Sequence, residues 1–404
     1  MRVLLSDGSS LTARQCSARL AQAGHVVEVL APDPMCVCRF TRHVARIHRV
    51  PPYGPDPLGW LEAALAVYTA GGFDVLFPTQ EQVAVLSRAK DQLESAGVHT
   101  AVPPFAALAA VQDKVAASDT LRRLGIPQPD TATRLGGWDR FPAFIKDQIG
   151  TASGGVRRVT SRAELEQAAQ DRTVVVQAAV DGPLLMCQSI FDHGTLVAFH
   201  ANERTAEGAG GGASHKRSVS VPDIRQFFDV LGSDLRWHGA LSADVILTEN
   251  GPRFIDINPR LVEPQNAYAS GVDLVGPMLE LATGSHPTPM PDGKTDVRTH
   301  QLLLAVLGAA QHGRGRRAIL AELIRATRLT DDYRGSTEEL TPIAGDARTV
   351  IPVAMAATAT LLRPAAWPWF TSGSVSNYAL TPQGWEQIRH YRPDALPSAD
   401  ALAT

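Results

Sequence analysis

The sequence predicts an α/β fold over its first hundred residues and an α+β fold after them. Two observations carry this. Strands and helices alternate up to about residue 106, and beyond it the strands arrive as hairpins. The length adds a third, because 404 residues exceed one ordinary domain. The expected domains are residues 1–106, 107–290 and 291–404, with a smaller lid unit at about 125–182.

Val3-Leu4-Leu5 reads as a strand, Thr12–Ala23 as a helix stopped by Gly24, and Val26–Leu30 as a second strand. Pro57–Ala70 reads as a helix ended by Gly71-Gly72, and Phe73–Phe77 as a strand. Such alternation implies a parallel sheet covered on both faces, a Rossmann-like shape. Its first turn, Ser6-Asp7-Gly8-Ser9-Ser10, lacks the G-x-G-x-x-G that lets a backbone approach a pyrophosphate, so no dinucleotide is expected there.

Val111–Leu124 has helical spacing and closes on Gly125, Pro127 and Pro129. Strands follow at Ala143–Lys146, Val156–Thr160, Val174–Gln177, Met186–Phe191 and Thr195–His200, with a helix at Arg162–Gln170. A glycine-rich loop at Gly208–Ala213 and a helix near Asp223–Leu231 lead to strands Ala243–Leu247 and Arg253–Ile257. The last part holds a helix at Arg317–Arg328 and an apolar run, Val350–Leu362, expected as a buried helix.

With 38 basic and 41 acidic residues the formal net charge is −3, which argues against a dedicated nucleic-acid binder. Four cysteines in a chain this long cannot be a disulfide framework, which points to a reducing, cytoplasmic setting. No leader peptide opens the sequence, and no run reaches the ~18–20 apolar residues of a membrane span. Only five of the basic residues are lysine: Lys90, Lys114, Lys146, Lys216 and Lys294.

The chemistry concentrates in Phe254-Ile255-Asp256-Ile257-Asn258-Pro259-Arg260. Alternate strand residues share a face, so Asp256, Asn258 and Arg260 project together. Asp244, twelve residues earlier, joins them across a three-residue turn, Glu249-Asn250-Gly251; a two-residue Asn250-Gly251 turn puts it on the opposite face. In the first register two carboxylates and an amide oxygen suit Mg²⁺; the alternative is an ordinary hairpin with exposed acids. Lys146 ends a strand and runs into Gly150-Thr151-Ala152-Ser153-Gly154-Gly155, a small-residue loop of the kind that closes over phosphates. Lys114 opens the helix after Gln112-Asp113.

Together these segments resemble the ATP-grasp superfamily, over roughly residues 1–290, and its carbamoyl-phosphate-synthase-like branch of carboxylate–amine ligases most of all. The resemblance implies that Lys114 and Lys146 contact ATP phosphates, with Ser153, Gly154 and Gly155 in the phosphate loop and Gln177, Ala178, Ala179 and Val180 as the adenine hinge. It implies Mg²⁺ (or Mn²⁺) on Asp244, Asp256 and Asn258. Arg260 and Lys216 are its catalytic candidates, and Arg204, His215 and Glu263 its substrate candidates. Lys216 lies in a loop that faces the reacting carboxylate in relatives; a mobile basic surface loop is the alternative. The hinge lacks the family's usual glutamate, and Asp181 and Gln188 are what remains for the ribose. The expected reaction joins a small-molecule carboxylate to an amine, amino acid or peptide, through an acyl phosphate, releasing ADP and phosphate. A biotin-carboxylase-like carboxylation and a non-catalytic ATP sensor are the alternatives. Such enzymes are commonly homodimers, although nothing in the sequence shows one.

Overall fold

A computed structural model describes residues 1–151, 154–169, 172–312, 315–340 and 345–392. Three sheets organise it. The first is parallel, in the order β3-β2-β1-β4, built from β1 (Arg2–Leu5), β2 (Val26–Ala31), β3 (Arg46–Arg49) and β4 (Val75–Phe77). Apart from Arg2 and Glu28, its central strands are apolar, because helices cover both faces. Val3, Leu5, Val27 and Val29 pack with Ala13, Cys16 and Leu20 of helix Leu11–Gln22. Leu4, Leu30 and Leu76 pack with Trp60, Leu61 and Ala64 of helix Pro57–Gly71.

The expected helix Val111–Leu124 is two helices, Phe105–Gln112 and Lys114–Arg123. Between them Asp113 is extended (φ −81°, ψ 120°) and its carboxylate accepts the N–H groups of Val115 and Ala116. An N-cap side chain takes over donors that a continuing helix would use, so the chain breaks there. The break makes Lys114 the first residue of a new helix.

The second sheet is antiparallel, ordered β5-β8-β6-β7, from β5 (Thr131–Ala132), β6 (Ala143–Asp147), β7 (Val156–Val159) and β8 (Val174–Ala178). Helix Arg162–Ala169 covers it through Leu165, which packs with Ile145, Val159 and Val176.

The third sheet has seven strands in the order β13-β12-β9-β10-β11-β14-β15. They are β9 (Leu184–Asp192), β10 (Thr195–Glu207), β11 (Ala213–Val219), β12 (Gly239–Thr248), β13 (Gly251–Asn258), β14 (Arg298–His300) and β15 (Ser336–Glu338). Phe228 and Leu231 of helix Pro222–Asp234 cover one face, over Leu185, Phe191, Leu241 and Phe254. The other face joins the core of the first sheet through Ile190, Ala198, Ala240 and Met278.

The segment after residue 290 serves both neighbours. β14 and β15 extend the large sheet, and helix Pro382–His390 sets Trp385 and Ile388 beside Trp60 and Leu61. Helix Val350–Leu362 forms where expected but is not buried. Ala356, Ala357 and Thr360 face inward, whereas Ile351, Met355 and Leu362 are 44, 46 and 73% exposed. Its small residues make the contact together with Val353 and Leu361, while Ile351, Met355 and Leu362 look outward. No helix among the described residues is long and apolar enough to cross a membrane, and all four cysteines are buried and unpaired.

Candidate active site

The acid pair depends on a defect in a ladder. The β12–β13 hairpin closes on two residues, Glu249 and Asn250, with Thr248 opposite Gly251. Regular pairing from that turn would bring Ile255 opposite Asp244 and send the two aspartates to different faces. Instead the register shifts between Asp244 and Val245, Ile255 is left over as a bulge, and Asp244 stands across from Asp256. Neither turn weighed from the sequence is the one used, and the facing carboxylates arise by this other route. The bulge also has a use: the Ile255 carbonyl accepts from Lys146 Nζ at 2.5 Å.

Two lysines converge on the pair, Lys114 from the start of a helix and Lys146 from the second sheet. Lys114 Nζ donates to Asp256 Oδ1 at 3.0 Å. Lys146, buried on β6, also donates to Gln177 Oε1 at 2.9 Å. Burial penalises charge on Asp256, yet Lys114 and Lys146 hold its carboxyl below the usual range. Asp244 has no such bond; burial and the neighbouring Asp256 charge push it up to about 6. Burial, aided by Lys114 and opposed by Asp256, brings Lys146 down to about 8. Two carboxylates and the Asn258 amide oxygen form a donor set suited to a hard divalent cation. Beside them runs a groove of about 340 Å³ between the second and third sheets, lined in part by Lys114, Lys146, Gln177, Phe254 and Asp256.

Arg260 is buried and fixed by three acceptors. Nε donates to Glu81 Oε1 at 2.9 Å, and the terminal nitrogens reach Leu261 O and Asn258 Oδ1 at 3.3 and 3.4 Å. Glu81, from the loop after β4, is in turn held by Gln112 Nε2 at 3.1 Å. Sequence reasoning passed over Glu81, since an acid in a loop of another sheet carries no local signal.

Several expectations need correction. Lys216 is not in a mobile loop. It lies within β11, fully buried, and Nζ donates to Glu263 Oε2 at 2.5 Å and Glu339 Oε2 at 2.6 Å. The glycine run before it forms only the short turn Ala209–Gly211 of a hairpin. His215, its strand neighbour, necessarily points the other way; its ring meets Tyr333 edge-on at 4.6 Å, so it is not gathered with Lys216. Arg204 is tied to Gly211 O at 2.8 Å and to Glu207 at 3.3 Å. Gln177 spends its side-chain oxygen on Lys146, and its nitrogen donates to Thr131 Oγ1 at 3.2 Å. The N–H groups of Ala178 and Ala179 bond to Asp130 O and Pro142 O at 2.9 and 3.0 Å. Val180 follows, half-buried, beyond the end of β8. Gln188 is buried and accepts from Val262 N–H at 3.0 Å, while Asp181 is exposed. In the small-residue loop, Gly155 has φ +77°, and a Cβ there would lie 2.4 Å from Asp147 Oδ2. Gly154 N–H bonds Thr151 O at 2.9 Å. Ser153 lies outside the described residues.

Glu339 was also missed. It is buried, accepts from Lys216, from Gln15 at 3.1 Å and from Gln301 at 2.8 Å through Oε2, and takes Thr299 Oγ1 on Oε1 at 2.6 Å. Glu263 sits at φ +53°, its N–H held by Thr12 Oγ1 at 3.1 Å, so its carboxylate turns inward to Lys216. Tyr378, from the final segment, is half-buried, and the charges of Asp7, Arg260, Glu263 and Glu81 all act on its hydroxyl. Burial first, and those acids with it, hold that hydroxyl well above its usual range.

Residues 111–264 match the ATP-grasp domain family. Three solved structures share the fold over most of the chain. The biotin carboxylase domain of 2-oxoglutarate carboxylase from Hydrogenobacter thermophilus, solved with MgADP, ADP and bicarbonate, is 15% identical. The match covers 74% of this chain and 73% of that one, with a TM-score of 0.58. The L-amino acid ligase of Bacillus licheniformis is 14% identical, with 71% and 75% covered and a TM-score of 0.55. N5-carboxyaminoimidazole ribonucleotide synthetase of Thermus thermophilus is 17% identical, with 74% and 81% covered and a TM-score of 0.55. No curated protein matches the sequence.

Proposed function

From the ATP-grasp domain that residues 111–264 form, we propose an ATP-dependent ligase that joins a carboxylate to an amine, with release of ADP and phosphate. The observation that carries it is the Asp244–Asp256 pair, served by Lys114 and Lys146 and bordered by Arg260. Asp244, Asp256 and Asn258 would hold Mg²⁺, which when bound with ATP offsets the triphosphate charge. Lys114 and Lys146 would release Asp256 and the Ile255 carbonyl and turn to the phosphate oxygens. Catalysis of this kind is mostly positioning and electrostatics.

A substrate carboxylate oxygen would take the γ-phosphoryl group as the bond to ADP breaks. The deprotonated amine then attacks the acyl carbon and phosphate leaves. Arg260, locked by Glu81 and Asn258, needs no rearrangement to face the charge on the transferring group. Around Arg260 and Lys216 stand three carboxylates, those of Glu81, Glu263 and Glu339, against two cations. That excess of negative charge suits an ammonium group on the second substrate. Fold likeness to the Hydrogenobacter thermophilus domain is the observation that favours carboxylation as the second reading.

The test is ADP release from the purified chain with Mg-ATP and pooled carboxylic and amino acids, beside Asp256→Asn. ADP that appears only with a carboxylate and an amine together, with an amide in the product, supports the ligase. ADP that depends on bicarbonate alone supports the carboxylase. AMP and pyrophosphate, or tight ATP binding with no turnover in any pool, would overturn both.

A further inference from the structure

A second cluster stands at the far end of β9, which the proposed reaction does not use. Asp244 pairs with Met186, and Asp192 lies six residues further along that strand, about 20 Å away at ~3.3 Å per residue. β9 ends on Asp192 and turns through His193 and Gly194, with φ values of +47° and +95°. The left-handed backbone at His193 holds its ring against the acid, with Nδ1 2.7 Å from Asp192 Oδ1. From the residue before β12, His238 brings its ring to 4.1 Å from that of His193. His286, beyond helix Val275–Ala282, reaches the other carboxylate oxygen, Oδ2, through Nδ1 at 2.6 Å.

His238 is the telling member. Its side chain is 9% exposed, and Nδ1 is buried with no hydrogen-bond partner among the described residues. That nitrogen faces Asp192 Oδ1 at 3.6 Å, too far for a hydrogen bond. Ligand atoms held at ~2.0–2.1 Å around a tetrahedral Zn²⁺ stand roughly 3.4 Å from one another, which is close to this gap. One donor atom each from Asp192, His193 and His238 lies within 4.8 Å of the other two.

We propose that Asp192, His193 and His238 bind a divalent transition metal of the Zn²⁺ type, with His286 orienting the Asp192 carboxylate. Two imidazoles and one carboxylate are borderline donors that suit Zn²⁺ over Mg²⁺, and water completes the tetrahedron. A hydrogen bond on the free oxygen of a ligating carboxylate is the usual outer support of such a site. The ion would tie together the β9–β10 turn, the start of β12 and the connection after helix Val275–Ala282. Its place is distinct from the acid pair, and the inference stands whether or not the ligase reading does.

The experiment is Zn²⁺ titration calorimetry on the full chain, untagged and free of nucleotide, with Co²⁺ absorption as a probe of tetrahedral geometry. One Zn²⁺ per chain is expected. His193→Asn, which suits the left-handed backbone of that exposed turn, and His238→Gln should each weaken binding at least 10-fold, and His286→Ala about 10-fold. Asp256→Asn should bind as the natural chain does. Binding lost in Asp256→Asn and kept in His193→Asn would place the ion at the acid pair and overturn the proposal. So would affinity unchanged by every histidine variant, or no uptake by the natural chain.

Discussion

Lys216 Nζ lies 2.6 Å from Glu339 Oε2 with both side chains out of water, 1% and 0% exposed, although 123 residues separate them. Glu263 shares the same ammonium. One lysine thus pins the segment that carries β15 to the turn that follows Arg260. Removing one member of a buried ionic group strands the others, at about 3–5 kcal/mol. Lys216→Met is therefore expected to lower unfolding stability by that order in urea denaturation. Lys216→Met with Glu339→Gln should recover part of the loss, because one stranded charge is gone. A single variant as stable as the natural chain would contradict this account.

Asp244 gives the site a pH signature. Its folded value of about 6 lies above the ~3.9 of an unfolded aspartate, so the neutral carboxyl is favoured by folding. That contribution is complete below pH ~4 and lost as pH rises through about 6. Asp244→Asn removes the loss. Its melting temperature should match the natural chain near pH 3.5 and exceed it near pH 7, by the equivalent of about 2–3 kcal/mol. Thermal melts across that range, in the absence of nucleotide and divalent metal, check it. A constant difference would show that Asp244 does not titrate there.

Lys146 should govern nucleotide affinity at the alkaline end. Its ammonium titrates near 8, and only the charged form attracts phosphate. ATP affinity is expected to hold to about pH 8 and then fall by up to ~10-fold per unit. Lys146→Met should bind ATP at least ~10-fold more weakly at pH 7, the scale of one charge-assisted hydrogen bond, and show no such decline. Calorimetric titration at pH 7, 8 and 9 separates these outcomes.

How much of this was legible follows from where each partner lies in the chain. Asp256 and Asn258 share a face of β13 by strand alternation, which spacing alone reveals, whereas Arg260 follows the end of the strand and returns to Asn258 Oδ1. The hairpin was legible too, but not the Ile255 bulge, because backbone pairing chooses which residue to leave out. A helix opening at Lys114 was legible, but Asp113 was not read as its N-cap, because the periodicity of 111–124 masked the break before it. Lys216 was misplaced for a different reason. A glycine-rich approach reads as a loop, whereas the partners that bury the lysine, Glu263 and Glu339, lie 47 and 123 residues away. Glu81 and Tyr378 carry no local pattern, and only the packing of other elements brings them in.

Tyr378 supplies the last prediction, since it joins the final segment to the chemistry. Asn377 donates to Ser9 Oγ at 3.1 Å, and Leu380 N–H reaches Thr151 Oγ1 at 3.3 Å, so the backbone on either side of Tyr378 is anchored. The hydroxyl is then set among Arg260, Glu263, Glu81 and Asp7 without a flexible approach. Tyr378→Phe deletes one hydroxyl and little volume, worth about 0.5–1.5 kcal/mol if it bonds a substrate. The KM of a non-nucleotide substrate should rise roughly 3- to 10-fold, with the KM of ATP and the melting temperature unchanged. Trp385→Ala, in the same segment but 2% exposed in the core with Trp60 and Leu61, should do the opposite. It should cost about 3–5 kcal/mol of stability and leave both KM values alone at a temperature where the chain stays folded. If both variants lowered stability and neither moved KM, Tyr378 would be part of the packing alone.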